Sequence, residues 1–170
     1  RKKILLINAD QNEAIRKRID DSIAPLRFDD GPEIKVVTLV GGPHLMQTQE
    51  DIDQVGPPVK KMIEADTETD VFVVVCFADP GLAEARKAAG GRKVFGINQS
   101  GVNTAMALGE KFGVISISDA AVERHRKYYE SLKIMDRFAG EVAANIELPQ
   151  AAAESDDPTA ALDPKVVAAR

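Results

Sequence analysis

Val71-Phe72-Val73-Val74-Val75, followed at once by Cys76-Phe77-Ala78-Asp79-Pro80-Gly81-Leu82, is the stretch on which the fold turns. Five β-branched and aromatic residues without polar alternation read as a strand buried on both faces, the kind found in parallel sheets. Asp79 is a natural N-cap and Pro80 suits a first helical turn, so a helix is expected to follow directly. The thiol of Cys76 then falls at a strand's carboxyl end and close to a helix N-terminus. Oriented N–H groups there favour the thiolate, the reactive form, which can move a proton at carbon or act as a nucleophile. A small buried hydrophobe closing a core strand fits the same spacing, and free cysteines are commonly buried.

Outward from this segment, residues 4–7, 34–40, 94–97 and 114–117 repeat its character: short, apolar, unalternating and bounded by turn residues. Between these runs, residues 12–23, 59–65, 82–89, 102–110 and 120–132 carry patterns that predict helices. Pro57-Pro58 follows the short pattern of residues 51–55, so two short helices are expected in that connection. The alternation predicts an α/β fold with right-handed crossovers. A parallel, flavodoxin-like sheet is expected in an N-terminal lobe, residues 1–97, and the start of a second similar lobe over residues 98–170. Ligands bind such sheets outside the carboxyl ends of the strands. That singles out residues 8–11, 41–47, 76–81, 98–101 and 118–119. From Glu147 onward the chain turns rich in Ala, Asp, Glu and Ser, as a solvated connection or weak helix does.

Composition narrows the function classes. With 44% apolar, 29% charged and 5% aromatic residues in 170, this is the make-up of an ordinary globular chain. A formal charge of -5, evenly spread, gives no footprint for nucleic acid. No apolar run reaches the roughly 20 residues of a membrane span, and residues 4–7 are too short for a signal peptide's core. One cysteine excludes an intrachain disulfide framework and points to a reducing compartment, with the cytoplasm as the default. The first residue is Arg rather than Met, and residues 165–170 stop inside what reads as the beginning of a helix, so chain is expected to be missing at both ends.

The remaining polar candidates are weaker. Two histidines, His44 and His125, without ligand spacing make a metal site improbable; both read as solvated surface, with contact with the site, for His44 through its loop, as the sharper alternative. Gly41-Gly42-Pro43 and Gly90-Gly91 do not continue into a phosphate-cradling motif, and the latter reads as a helix C-terminus. Ser100-Gly101 lacks the histidine and acid of a hydrolase elbow; these residues either line a cleft or cap the helix from Val102. Residues 124–129, Arg-His-Arg-Lys-Tyr-Tyr, read as a solvated helix face, with a subunit contact as the sharper alternative.

The segment 76–82, with Ala85-Arg86 after it, resembles the first active-site segment of hydantoin racemases and of their relatives in the aspartate/glutamate/hydantoin racemase superfamily. Ile7-Asn8 at the end of the first strand agrees, as do Gly42-Pro43 with residues 47–51 and Pro57-Pro58. Gly96-Ile97-Asn98 to Gly101, and residues 105–109 ahead of Phe112-Gly113-Val114-Ile115, resemble the family's crossing into its second lobe. The resemblance covers about residues 3 to 140. It implies two pseudo-symmetric α/β lobes with the active site between them, each contributing a cysteine to one face of the substrate's α-carbon. It also implies racemisation or epimerisation of an amino acid or hydantoin derivative without pyridoxal phosphate, metal or other cofactor. The catalytic residue so implied is Cys76. Asn8 is implied as a holder of the substrate's carboxylate or amide, and the backbone N–H groups of Phe77 and Ala78 as stabilisers of the enolate. Gln99, Ser100 and Gly101 are implied as weaker substrate contacts. The expected partner is a small-molecule substrate, with neither nucleic acid nor membrane, and the expected assembly is a homo-oligomer.

Three features depart from the family's pattern. No second cysteine occurs before Arg170, for which a truncated chain is the simplest account. Ala9-Asp10 stands where the family favours Pro-Asn, and Asp10 is expected to cap the first helix. Gln99 stands where hydantoin racemases often carry Glu. Malonate decarboxylation and maleate isomerisation use the same scaffold, and a binding protein that kept the cleft but lost the second acid is the non-catalytic alternative.

Overall fold

The computed structural model describes residues 1–44, 46 and 48–145. They fall into two units, Arg1–Gln99 and the residues from Ser100 onward. Expectations for the chain after Glu147 lie outside the described residues.

The first unit runs β1 (Lys3–Asn8), α1 (Glu13–Ile23), β2 (Glu33–Thr38), α2 (Gln49–Ala65), β3 (Val71–Val75), α3 (Leu82–Ala88) and β4 (Lys93–Gly96). Its four strands form one parallel sheet in the order β2-β1-β3-β4. The chain leaves β1 toward β2 on one side and returns to add β3 on the other. The gap between the carboxyl ends of β1 and β3 is therefore the topological switch point, where open α/β sheets bind their ligands. In register, Asn8 ends β1 beside Thr38 of β2 and Val75 of β3.

One face of this sheet is sealed. Leu5, Ile7, Phe72, Val74 and Val94 pack with Val55, Val59 and Ile63 of α2 and Leu82 and Ala85 of α3. Each large aliphatic or aromatic side chain fully withdrawn from water is worth about 1.5–3 kcal/mol, so this layer supplies most of the unit's driving force. The opposite face is thinner: Val71, Val73 and Val75 are half-buried, and Phe95 is 46% exposed. Burial on both faces, as the apolar runs predict, therefore holds only in part. α1 packs beside β1 and β2 but buries none of its own residues fully.

The expected break at Pro57-Pro58 is absent: α2 is one helix through both prolines. Its start is fixed by a capping box between Thr48 and Asp51. Val55, Val59 and Ile63 recur every fourth residue as a fully buried stripe. Proline removes the donors that would have reached the carbonyls of Asp53 and Gln54, two residues exposed to solvent. Burial of the stripe outweighs that loss. At the far end of the sheet Arg92 closes the layer. Its guanidinium stands 4.8 Å over the Phe72 ring and donates to the carbonyls of Ile63 (2.8 Å), Asp66 and Ala89.

α4 (Ile97–Leu108) starts immediately after β4 and passes from the first unit into the second. Residues 98–101, expected as a loop, are thus the first turn and a half of a helix. The second unit adds β5 (Phe112–Ser116), α5 (Asp119–Ser131) and β6 (Phe138–Ala143), with β5 and β6 parallel. Its core gathers Val102, Phe112, Val114 and Tyr129, with Phe112 edge-on to Tyr129 at 5.3 Å between ring centres. β6 escapes the sequence pattern because Gly140 (φ 138°) and Glu141 interrupt its apolar run. β5 alternates buried and exposed residues, with Ile115 83% exposed, so it too is buried on one face only. No helix among the described residues is long and apolar enough to cross a membrane.

Candidate active site

The sheet's parallel register brings three loops to the switch point. Cys76 follows Val75 and so stands beside the end of β1, with Gly96 at the end of β4 on its other side. It is half-buried and packs in part against the core of the first unit, which leaves the thiol between core and solvent. Phe77 is 41% exposed and Ala78 half-buried, so the chain emerges from the sheet edge at this point.

The turn after the cysteine is held from within and from outside. The Asp79 N–H donates to the Cys76 carbonyl at 3.0 Å. Asp79 has a left-handed backbone (φ 46°) and is buried. Gly81, not Asp79, is the N-cap of α3, at φ 65°, and its missing Cβ lets α2 approach: a Cβ there would lie 2.5 Å from the Gly56 Cα. The expected capping of α3 by Asp79 therefore fails, because its carboxylate is drawn to a different helix. It accepts from the N–H groups of Asn98 (3.0 Å) and Gln99 (2.7 Å) in the first turn of α4.

The loop after β1 forms a second polar cluster. Asn8, 2% exposed, donates from its amide to the Asp10 carboxylate (2.8 Å) and to the carbonyls of Asp10 and Asn12. The N-cap of α1 is Asn12, whose side chain accepts from the N–H groups of Ala14 and Ile15. Asp10 is thus one step back from the expected cap and accepts from the Asn12 N–H at 2.9 Å. Gln11 ties this loop to the next one through the carbonyls of Gly42 and Pro43.

Burial pushes the Asp10 carboxyl above its ordinary value, against the opposing pull of its hydrogen bonds and of His44. A raised value means that the folded chain holds this proton more tightly than the unfolded chain does. Stability therefore falls as pH rises from the ordinary 3.8 through the raised value, and the cost is fully present above it. Asp10→Asn keeps an oxygen acceptor for Asn8 and Asn12 while removing the charge. It is expected to raise the melting temperature at neutral pH and to flatten the acid-side stability curve. An unchanged or lowered melting temperature at neutral pH would show that the carboxylate's hydrogen bonds outweigh its burial.

Of the other expected contacts, Gln99 is half-buried and its side-chain carbonyl accepts from Arg86 at 2.6 Å. Ser100 and Gly101 lie within α4, half-buried and exposed respectively, and the Ser100 carbonyl accepts from the Thr104 hydroxyl. His44 is exposed, as expected. His125 is not: it is buried in the second unit, with Nδ1 2.6 Å from Glu141 Oε1. The basic run around it is solvated only in part, with Arg126 and Lys127 exposed. The spacing of residues within α5 carries no sign of a partner on β6, so this pair was invisible in the sequence. Asp79 and Asp10 were visible only as caps. The one available hint was Gly96, a residue without a capping side chain directly before a helix.

The parallel sheet and the cysteine at its switch point define an open α/β protein with its polar loops at the carboxyl edge. Comparison with known proteins gives the family. The Asp/Glu/Hydantoin racemase family model matches residues 4–169, and the chain belongs to that family. A hydantoin racemase of Rhizobium meliloti is 40% identical over an alignment covering 33% of this chain and 28% of that protein. Among solved structures, the allantoin racemase of Klebsiella pneumoniae is similar with a TM-score of 0.80 at 25% identity, covering 94% of this chain. The allantoin racemase of Pseudomonas fluorescens is similar in fold, with a TM-score of 0.77 at 20% identity over 86% of this chain. The chain spans 64% and 62% of the lengths of these two structures.

Proposed function

We propose that this protein is a cofactor-independent racemase or epimerase acting at the acidic α-carbon of a neutral cyclic amide of the hydantoin or allantoin type. The observation that carries this is the placement of Cys76, half-buried, at the β1/β3 switch point. The lobe of residues 1–97 supplies this thiol, and residues 98–170 begin a second lobe. The thiolate removes the α-proton, the C–H bonding pair passes into the adjacent carbonyl as an enolate, and a donor on the opposite face returns a proton to carbon. Donors fixed in advance toward the enolate oxygen are a large catalytic term, and the N–H groups of Phe77 and Ala78 fill that role. The amide N–H group of Asn8 is occupied within its own loop, so Asn8 acts by holding that loop in place.

Charge favours a neutral ring. The stretches 8–12, 39–48, 76–81 and 97–99 contain no Lys or Arg, while Asp10 and Asp79 lie among them. A dicarboxylate such as aspartate finds no Lys or Arg in these loops to offset its charge. The hydantoin and allantoin racemases among the relatives agree with this choice.

The test is α-proton exchange in deuterated water on the full-length protein, with enantiopure 5-substituted hydantoins, allantoin, aspartate and glutamate followed by NMR and chiral chromatography. Exchange with inversion on the cyclic amides alone is expected. Exchange confined to the amino acids would overturn the substrate class. Absence of exchange with every compound would overturn racemisation, leaving decarboxylation, cis–trans isomerisation or ligand binding without turnover, the last read as thermal stabilisation.

A further inference from the structure

Gly96 occupies the position before the first turn of α4, where Ser, Thr, Asp or Asn ordinarily supplies a capping oxygen from its own side chain. Here the oxygen comes from elsewhere. Asp79, 4% exposed, places Oδ1 3.0 Å from the Asn98 nitrogen and Oδ2 2.7 Å from the Gln99 nitrogen. The glycine is a consequence of this arrangement: a Cβ on Gly96 would stand 2.3 Å from the Asp79 carboxylate, in the space the cap now fills. The connection also runs in the other direction. Asn98, with no exposed surface, donates from its side-chain amide to the Phe77 carbonyl at 2.7 Å.

Three hydrogen bonds thus join the turn after Cys76, at Phe77 and Asp79, to the first turn of α4. Asp79 is pinned by its carboxylate, Phe77 by its carbonyl, and the Asp79 N–H returns to the Cys76 carbonyl at 3.0 Å. Two of the bonds involve a carboxylate, and charge-assisted bonds of this kind are about twice as strong as neutral ones. A helix cap of the usual kind makes no contact with a neighbouring loop. Supplying it from a distance of 19 residues spends the same hydrogen bonds on fixing two elements at once.

We propose that Asp79, with Asn98, is the positioning clamp of the proton-transferring thiol. It sets the backbone of residues 76–79 against α4, so that the Cys76 sulfur and the Phe77 and Ala78 N–H groups keep one geometry. This rests on the assignment of Cys76 as the group that moves the proton. Misplacement of a reacting group by about 1 Å costs on the order of 100-fold in rate, so the loss of such a clamp is visible in turnover.

A capping role alone must be separated from a positioning role, and the structure offers the variant that does so. Asp79→Ala empties the space beside Gly96, whose three nearest obstructing atoms all belong to the Asp79 carboxylate. Gly96→Ser is then expected to restore a cap to α4 from its own chain, but no link to the cysteine turn. In the Asp79→Ala/Gly96→Ser protein the melting temperature is expected to return toward the wild-type value. Turnover of a 5-substituted hydantoin is expected to stay about 10- to 100-fold down in kcat, with KM changed less than about threefold. The rate of Cys76 alkylation by iodoacetamide, read by mass spectrometry of its peptide, is expected to remain altered as well. Asn98→Ala cuts the link from its other end and leaves the carboxylate cap in place, so it serves if the double variant folds poorly; the same pattern is expected at smaller amplitude. Recovery of both kcat and alkylation rate in the double variant, or wild-type values of both in Asn98→Ala, would show that Asp79 only caps a helix. If wild-type protein turns over no hydantoin, allantoin or amino acid, the racemase assignment falls, but the alkylation measurement still decides whether the clamp governs the thiol.

Discussion

Cys76→Ser is expected to reduce α-proton exchange on a hydantoin by at least about 1,000-fold while leaving the fold intact, because general acid–base groups contribute on the order of 100- to 10,000-fold and a serine hydroxyl does not ionise near neutral pH. The substitution changes one atom of a half-buried side chain, and Cys76 lies at the margin of the core rather than inside it. Its packing with the core is kept, so circular dichroism and melting temperature are expected to change little. Cys76→Ala is the companion variant, equal to Cys76→Ser in exchange if only proton transfer is lost. The check is the same NMR exchange experiment, run long enough to see slow residual turnover. A loss smaller than about tenfold would remove Cys76 from the reaction, since no acid–base group of that importance is so dispensable. The thiol would then be the small core-closing residue that its contacts also permit.

The frame of this site was legible in the sequence for a simple reason. β1 and β3 are central strands, and central parallel strands announce themselves by continuous apolar runs that only a buried position explains. Once Val71 to Val75 is a strand, the place of Cys76 at its carboxyl end follows from the connectivity. Most of what stayed hidden depends on partners distant in the chain. Asp79 reads as the cap of the helix that follows it, since local sequence favours that helix; its real partner is 19 residues away. Asp10 likewise reads as a cap, while Asn12 does the capping and Asp10 braces the loop. Pro57-Pro58 misleads in the opposite sense. Local chemistry argues for a break, but the buried stripe Val55, Val59 and Ile63 holds one helix together. For Asp79 and for the prolines a tertiary contact outweighs a local preference of about 1–3 kcal/mol, whereas Asp10 yields the cap to Asn12 through bonds only two residues long.

The second unit holds the largest stability effect expected in this chain. The Glu141 carboxylate on β6 has no exposed side-chain surface, and its Oε1 lies 2.6 Å from Nδ1 of His125 on α5, itself 8% exposed. Its second oxygen, Oε2, is buried and has no hydrogen-bond partner among the described residues. His125 is therefore the main compensation the carboxylate has. Removing one member of a buried pair strands the other, at about 3–5 kcal/mol, so His125→Leu is expected to destabilise the protein by about that amount. Glu141→Gln keeps an oxygen for the histidine and is expected to cost about 1–2 kcal/mol. The double variant His125→Leu/Glu141→Leu removes both polar groups and is expected to recover most of the loss, because well-packed apolar residues replace buried polar pairs at little net cost. Urea denaturation of the wild type, His125→Leu, Glu141→Leu and the double variant forms a cycle whose coupling isolates the pair. A cost below about 1 kcal/mol for His125→Leu would mean that water reaches Glu141 once the ring is gone, and that the pair does not fasten α5 to β6. Against a total stability of about 5–15 kcal/mol, the expected loss is enough to unfold this unit at moderate temperature.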